Sequence, residues 1–474
     1  MPADRRPRRG RPLRPRLPQE VRRVKSLLER PAPTATAALT LRRGAARVLI
    51  DNWTGTSTVP SRTLYPHQWS WDSAFIAIGL RHLSVRRAQQ ELESLLTAQW
   101  ADGRIPHIVF NPAVPHDAYF PSPDFWRSSN AGRTAGAPAA PETSGIVQPP
   151  VHALAAWLVH RADPAESERR GFLARVAPHL AAWHEYLLTR RDLGGAGLAA
   201  VVHPWEPGMD NSPSWDRALT RVEPTAPGTF RRADLAHGHP ADRPTDLDYG
   251  RYVRLASDYR DAGYDDRATQ FAFAVEDPCF NALLIAGEHA LAAIVRELGG
   301  DGTRHTERAD ALTRRMVGRL WDEEAGIFRA RDLTDDTLVS QDGVSGLIPL
   351  LAPGLPAHIT TRLLTTLTGP RFDAPATRLV PSYDLTGPAF DAQRYWRGPA
   401  WFNTAWLIHR GLCTHGLREQ AESLRQGVVT EAGASDFAEY VDPATGEARG
   451  ARHFSWTAAL TLDLLCADSE EPTA

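Results

Sequence analysis

Apolar residues recur at three- and four-residue spacing along most of the chain from residue 36 onward, which predicts a succession of helical hairpins. Helices are expected at 37–52, 71–81 and 84–100, the last opening on Ser84 as a hydroxyl N-cap. The pattern resumes at 151–161, 166–190, 248–259 and 277–298. Within 277–298, Phe280, Leu283, Leu284, Leu291, Ile294, Val295 and Leu298 fall on one face. Further helices are read at 304–322, 343–351, 356–367, 399–415, 417–431 and 454–466, with one strand candidate at 326–331. Strand and helix do not alternate, which disfavours a parallel α/β sheet. The helices are too short for a coiled coil, and no fixed-period solenoid repeat is present.

Two stretches, 102–143 and 203–247, are rich in proline, glycine, aromatics and acids and are periodic nowhere. Loops of that length inside a compact domain are usually functional. They contrast with short plain turns such as Gly299-Gly300-Asp301-Gly302. The asymmetry suggests a closed ring of hairpins with a functional rim on one side. The expected fold is therefore all-α, an (α/α)6 barrel forming one catalytic domain over 33–470, with both loops capping the site. Residues 1–32, rich in arginine and proline, are expected to form a disordered leader.

Composition narrows the classes of partner. The formal net charge of −2 argues against nucleic acid or a membrane surface, and Lys25 is the only lysine. Cys279, Cys413 and Cys466 lie far apart without ligand-like spacing, which fits a reducing cytoplasm rather than a disulfide framework. No run of about eighteen apolar residues suggests a membrane span. The Arg5-Arg6 and Arg8-Arg9 pairs are not followed by the apolar stretch of an export signal. Phosphate-binding, dinucleotide-binding and serine-nucleophile motifs are missing, as are zinc-spaced histidine pairs.

The candidate chemistry lies in the irregular stretches. His203–Asp216 brings Glu206, Asp210 and Asp216 together with Trp205, Trp215, a histidine and an asparagine, broken by three prolines and a glycine. Acids beside indole faces suit a sugar pocket, where the rings stack on apolar sugar faces and one acid is kept protonated. A loop whose acids merely cap helices would have a similar composition. Tyr65-Pro-His-Gln-Trp69-Ser70-Trp71-Asp72 places two indoles beside an acid at a helix start, where the acid could also serve the dipole alone. Gln148 precedes a Pro-Pro stop and offers a two-headed amide to a hydroxyl pair. Arg243 lies near Tyr249 as a fork for a carboxylate or as one half of an internal ion pair. Tyr395-Trp396 leads a helix, and Asp436 and Glu439 form a second acid cluster.

With these residues laid out, the chain resembles the bacterial mannosylglycerate and glucosylglycerate hydrolases of glycoside hydrolase family 63. The likeness runs from Thr36 to Cys466 and is carried by TLYPHQWSWDSAF, TSGIVQPP, HPWEPGMDNSP, RPTDLDY, YWRGPAW and FAEYVDPATGE with FSWTAAL, in that order. The resemblance implies an (α/α)6 inverting glycosidase releasing glucose or mannose from glucosylglycerate or mannosylglycerate, with no metal or organic cofactor. It assigns Asp210 as general acid and Glu439 as general base. Tyr65, Trp69, Ser70, Trp71, Asp72, Gln148, Gly208, Tyr395 and Trp396 match the sugar subsite, and Tyr119, Arg243 and Tyr249 the surroundings of glycerate. The family pattern leads one to expect an aromatic after Tyr440, where this chain has Val441.

The expected partner is a small-molecule glycoside, and self-association is left open. An exo-acting α-glucosidase on glucosyl oligosaccharides is the nearest alternative, since wider relatives share several motifs. A sugar epimerase of the same barrel would rely on histidine pairs as acid and base, and a binding-only module would not need both acids.

Overall fold

The periodicity of the sequence is realised as helices in a computed structural model of the protein, which describes residues 35–232, 234–236, 240–267 and 271–466. The expected leader at 1–32 lies outside the described residues. In chain order the principal helices are α1 (Ala35–Asp51), α2 (Ser70–Leu80), α3 (Val85–Leu96), α4 (His152–Ala162), α5 (Phe172–Arg190), α6 (Asp246–Asp261), α7 (Pro278–Glu297) and α8 (Thr303–Leu320). After a 3-10 segment, Val344–Leu351, come α9 (Ala357–Leu367), α10 (Phe402–Thr414), α11 (Arg418–Ala434) and α12 (Ser455–Cys466). Side-chain caps fix several starts: Ser84 accepts from Arg87 N–H, Thr245 from Asp248 N–H and Asp277 from Phe280 N–H.

Apart from α6, packing divides these elements into two sets. Helix α2 packs on α4, α4 on α7, α7 on the 3-10 segment, that segment on α10, α10 on α12, and α12 back on α2. Each of these six carries a partner on its other side: α3 on α2, α5 on α4 and α7, α8 on α7, α9 on the 3-10 segment, α11 on α10, and α1 on α12. Burial follows the division. Every residue of α2 and of the 3-10 segment is buried, whereas α3 and α8 bury only one stripe. Helices α2 and α12 approach so closely that a Cβ on Gly79 would run into the Ala459 backbone.

Several expectations are revised. Residues 166–190 divide into Pro164–Arg169 and α5, because Gly171 turns left-handed (φ 60°) between them. The 343–351 segment is 3-10 rather than α-helical. Pro349 has no N–H to donate there, and Gly346 sits so close to the Phe328 carbonyl that a Cβ would not fit. Helix α7 is buried nearly all round, including Cys279, Asn281, Gly287 and Glu288, so its single apolar face was too narrow a reading. Leu298 caps that helix at 47% exposure. Helix α7 is also long and apolar enough to cross a membrane by length and composition, but 83% of its apolar window is buried inside the protein, as in a core helix.

Loop 102–143 is ordered by Ile108–Val109, which pairs antiparallel with Gln68–Trp69, and by two short helices, Pro123–Trp126 and Ser128–Ala131. The strand candidate at 326–331 becomes two-residue strands, Ile327–Phe328 against Trp321–Asp322 and Arg331–Asp332 in a separate four-stranded ladder. One further small sheet bears on the site: Tyr440–Val441 lies between Ala400–Trp401 and Ala448–Arg449.

Candidate active site

The starts of four buried helices converge on one pocket. Trp71 and Asp72 stand in the first turn of α2, Gln148 just ahead of α4, Trp401 immediately before α10, and Phe454 and Trp456 on either side of the α12 start. Helix N-termini carry partial positive charge, which suits a pocket containing several acids. The lining also takes in Tyr65, Trp69, His107, Tyr119, Trp205, Gly208, Asp210, Asp234, Arg243, Tyr249, Tyr395, Trp396 and Glu439.

Asp210 and Glu439 face this pocket in different settings. The Glu439 Oε1 accepts from the Tyr65 hydroxyl at 3.1 Å and the Tyr395 hydroxyl at 3.0 Å, while Oε2 accepts from Ala451 N–H at 3.0 Å. Arg243 donates to the Tyr65 hydroxyl at 3.0 Å, lies 4.6 Å over the Tyr395 ring, and stands 3.9 Å from Glu439 Oε2. These contacts orient the Glu439 carboxyl from both sides. Asp210 is held through its main chain instead. Tyr252 donates to the Asp210 carbonyl at 2.8 Å, and the Trp215 indole donates to the Met209 carbonyl at 2.7 Å. Burial pushes the Asp210 carboxyl up to about 7, opposed in part by the Arg243 charge and reinforced by Glu439. Burial likewise raises Asp72 well above the usual carboxylate range, with the Glu439 charge adding to it.

Local residue pattern does not distinguish among the acids, although the family resemblance singles out Asp210 and Glu439, and the structure gives each acid a different setting. Glu206 is fully buried away from the pocket, where Arg191 grips it bidentately at 2.7 and 2.8 Å and Val147 and Val202 donate their N–H groups. Asp216 pairs with Arg397, and Asp436 is an exposed partner of His453 at 2.8 Å. Of the proposed lining residues, Ser70 alone stays out: its hydroxyl meets His152 Nε2 at 2.9 Å. Gln148 uses its amide oxygen on the Trp71 N–H at 3.1 Å, so the hydroxyl-pair reading is reduced to its NH2. The Tyr249 hydroxyl donates to Phe120 O at 3.0 Å, tying α6 to loop 102–143 rather than offering itself to a ligand. Tyr119, from that loop, meets Trp69 edge-on at 5.0 Å. Val441 is fully buried in its strand opposite Ala400 and Ala448 and does not line the pocket.

His107 and Asp234 were missed. Burial lowers the His107 imidazole to about 3, so it is neutral. Asp234 is held by both oxygens to Arg232, whose guanidinium lies 4.4 Å over the Tyr249 ring. Neither carries a local sequence signal, since each lies in an aperiodic stretch. Among the described residues no group of three metal-ligating side chains could hold a metal ion.

Gly208 matters for its conformation. Its φ of +71° is left-handed, and a Cβ there would run into the Trp71 ring. Gly208→Ala is expected to displace that indole, at a strain of about 1–3 kcal/mol. Steady-state kinetics should show a KM raised about tenfold, with Tm lowered by a few degrees; an unchanged KM would mean that Trp71 does not touch the ligand.

Comparison with known proteins places the chain among glycoside hydrolases. The mannosylglycerate hydrolase MGH1-like glycoside hydrolase domain matches residues 65–457. A mannosylglycerate hydrolase from Rubrobacter radiotolerans is 38% identical over 427 residues, 89% of this chain and 96% of the relative. A glucosylglycerate hydrolase from Mycolicibacterium hassiacum is 40% identical, with the same coverage of both chains. The crystal structure of GH63 mannosylglycerate hydrolase from Thermus thermophilus in complex with Tris and D-glycerate superimposes with a TM-score of 0.81. It is 38% identical and covers 89% of this chain and 99% of its own.

Proposed function

Because the chain belongs to the mannosylglycerate hydrolase MGH1-like glycoside hydrolases, we propose that it cleaves a small α-hexosyl glycerate by inversion, with Asp210 as general acid and Glu439 as general base. It is a glycoside hydrolase. The observation that carries the assignment is the pair of carboxyls in one aromatic-lined pocket, one with its pKa raised to about 7 and the other oriented by two phenols and an amide. Glycosidic cleavage requires such a division. One carboxyl must give a proton to the leaving oxygen as the oxocarbenium-like transition state develops, while the other takes a proton from the attacking water.

The proposed route is direct. The hexose ring lies among Tyr65, Trp69, Trp71, Tyr395 and Trp396, with Asp72 and the Gln148 NH2 available to its hydroxyls. Water between the ring and Glu439 attacks the anomeric carbon as Asp210 protonates the glycosidic oxygen. Glycerate then leaves toward Arg243, the one cation lining the pocket among the described residues, with Tyr119 at the rim. A carboxylate leaving group gives that guanidinium a partner that a neutral sugar would not. The barrel reading is part of the same proposal. Six buried segments contact one another in a closed cycle, each backed by an outer helix, which supports an (α/α)6 toroid acting as one domain across the described residues.

Incubation with glucosylglycerate, mannosylglycerate, trehalose and a glucosyl oligosaccharide, followed by hexose release, tests the substrate class. Turnover of the oligosaccharide alone would replace the glycerate reading with the exo-α-glucosidase one. Proton NMR early in turnover of an α-linked substrate should show the β-hexose first. An initial α-hexose would remove Glu439 as base and require a nucleophile.

A further inference from the structure

Asn211 follows the proposed acid directly and is 4% exposed. Its Oδ1 accepts from the Trp396 N–H at 2.8 Å, while its Nδ2 is buried with no hydrogen-bond partner among the described residues. A buried amide left half unsatisfied is uncommon and calls for a reason. The far side of the contact is rigid. Trp396 stacks on Trp401 at 3.9 Å and 5°, Trp401 stacks on Tyr440 at 4.5 Å, and the Trp401 indole donates to the Tyr395 carbonyl at 3.1 Å. Tyr440 is paired with Trp401 across the sheet and is the neighbour of Glu439. One covalent step and one hydrogen bond therefore connect Asp210 to the stacked platform that carries Glu439.

We propose that Asn211 is a positioning residue that fixes the separation of the Asp210 and Glu439 carboxyls by latching the acid's segment to the Trp396–Trp401–Tyr440 stack. This rests on the acid and base roles proposed above. An inverting site must hold its carboxyls about 6.5–9.5 Å apart so that substrate and water fit between them. A displacement of about 1 Å costs roughly a hundredfold in rate. The Asp210 carboxyl is not flanked by two phenols as Glu439 is, and the side-chain contacts on its segment go to main-chain carbonyls, so its main-chain neighbours hold it. The amide also has a reason to be preferred over a carboxylate. Aspartate could accept from Trp396 N–H equally well, but it would set a second negative charge beside the acid and change the pH at which the acid loses its proton.

The test compares two substrates. Glucosylglycerate has an alkoxide leaving group that needs protonation, whereas α-glucosyl fluoride needs little help from an acid. Asn211→Leu is expected to lower kcat on glucosylglycerate about 10–100-fold, and on the fluoride less than about threefold, with KM for both nearly unchanged. Asn211→Asp, which keeps the latch, is expected to retain glucosylglycerate turnover within about fivefold while moving the alkaline limb of its pH profile upward. Equal losses on both substrates in Asn211→Leu would make Asn211 a general structural residue and overturn the proposal. So would wild-type turnover in that variant, or a loss in Asn211→Asp as large as in Asn211→Leu. If Asn211→Leu does not fold, Asn211→Ala, which also removes the acceptor for the Trp396 N–H, is read by the same criteria. Asp210→Asn on the same pair is the control: a loss equal on both substrates would withdraw the acid assignment itself, and the latch with it.

Discussion

Asp210→Asn and Glu439→Gln are each expected to lower kcat on glucosylglycerate by at least about a hundredfold, within the roughly 10²–10⁴-fold range of general acid–base catalysis. Both side chains keep their size, so the melting temperature should change little. The two variants should differ in their pH behaviour. Asp210 works as an acid only while protonated, and its pKa lies at about 7. Activity of the unaltered enzyme should therefore hold below that value and fall about tenfold per unit above it, giving an alkaline limb near neutrality. Asparagine cannot titrate, so the residual activity of Asp210→Asn should lack that limb, whereas Glu439→Gln should keep it. An alkaline limb that survives in Asp210→Asn would belong to another group, and Asp72, whose carboxyl burial also pushes up, would be the next acid to test. Near-wild-type turnover in Glu439→Gln would remove the base. The neighbouring Asp436 cannot take its place, because it is exposed and paired with His453.

Arg243→Ala should produce the second large effect. Loss of a buried charge-assisted pair costs about 2–5 kcal/mol, so kcat/KM for glucosylglycerate is expected to fall by tens to thousands of fold. Because Arg243 also donates to Tyr65 and covers the Tyr395 ring, its removal loosens two of the phenols that hold Glu439. An uncharged aryl glucoside should therefore lose about tenfold, and the difference between the two substrates measures the carboxylate contact. The sign of the pH effect follows from the same contact. The Arg243 charge lowers the Asp210 pKa, so its loss should move the alkaline limb to higher pH. Equal losses on both substrates would make Arg243 part of the seat of Glu439 and remove the argument for glycerate.

By itself, the sequence determined the helices and the ends that matter. Side-chain periodicity is a local property, so α2, α7, α10 and α12 were legible to within a few residues, and the motif stretches carried the family and most of the pocket lining. Where a helix's neighbours decided the outcome, periodicity fell short. Helix α7 is buried on nearly every side because α4, α5, α8 and the 3-10 segment all pack against it, and no single apolar face announces that. The acids show the same division. Glu206, Asp210 and Asp216 stand within eleven positions (206 to 216) and have similar local surroundings in the chain. Their roles were set by groups brought in from afar: Arg191 for Glu206, Arg397 for Asp216, and for Asp210 a desolvated pocket facing Glu439, 229 positions away (439 − 210). Ser70 follows the same rule, since its hydroxyl is claimed by His152 on a different helix. Desolvation and charge pairing depend on what surrounds a group in space, so which carboxyl stays protonated, and which merely stabilises the fold, was decided only when the chain closed on itself.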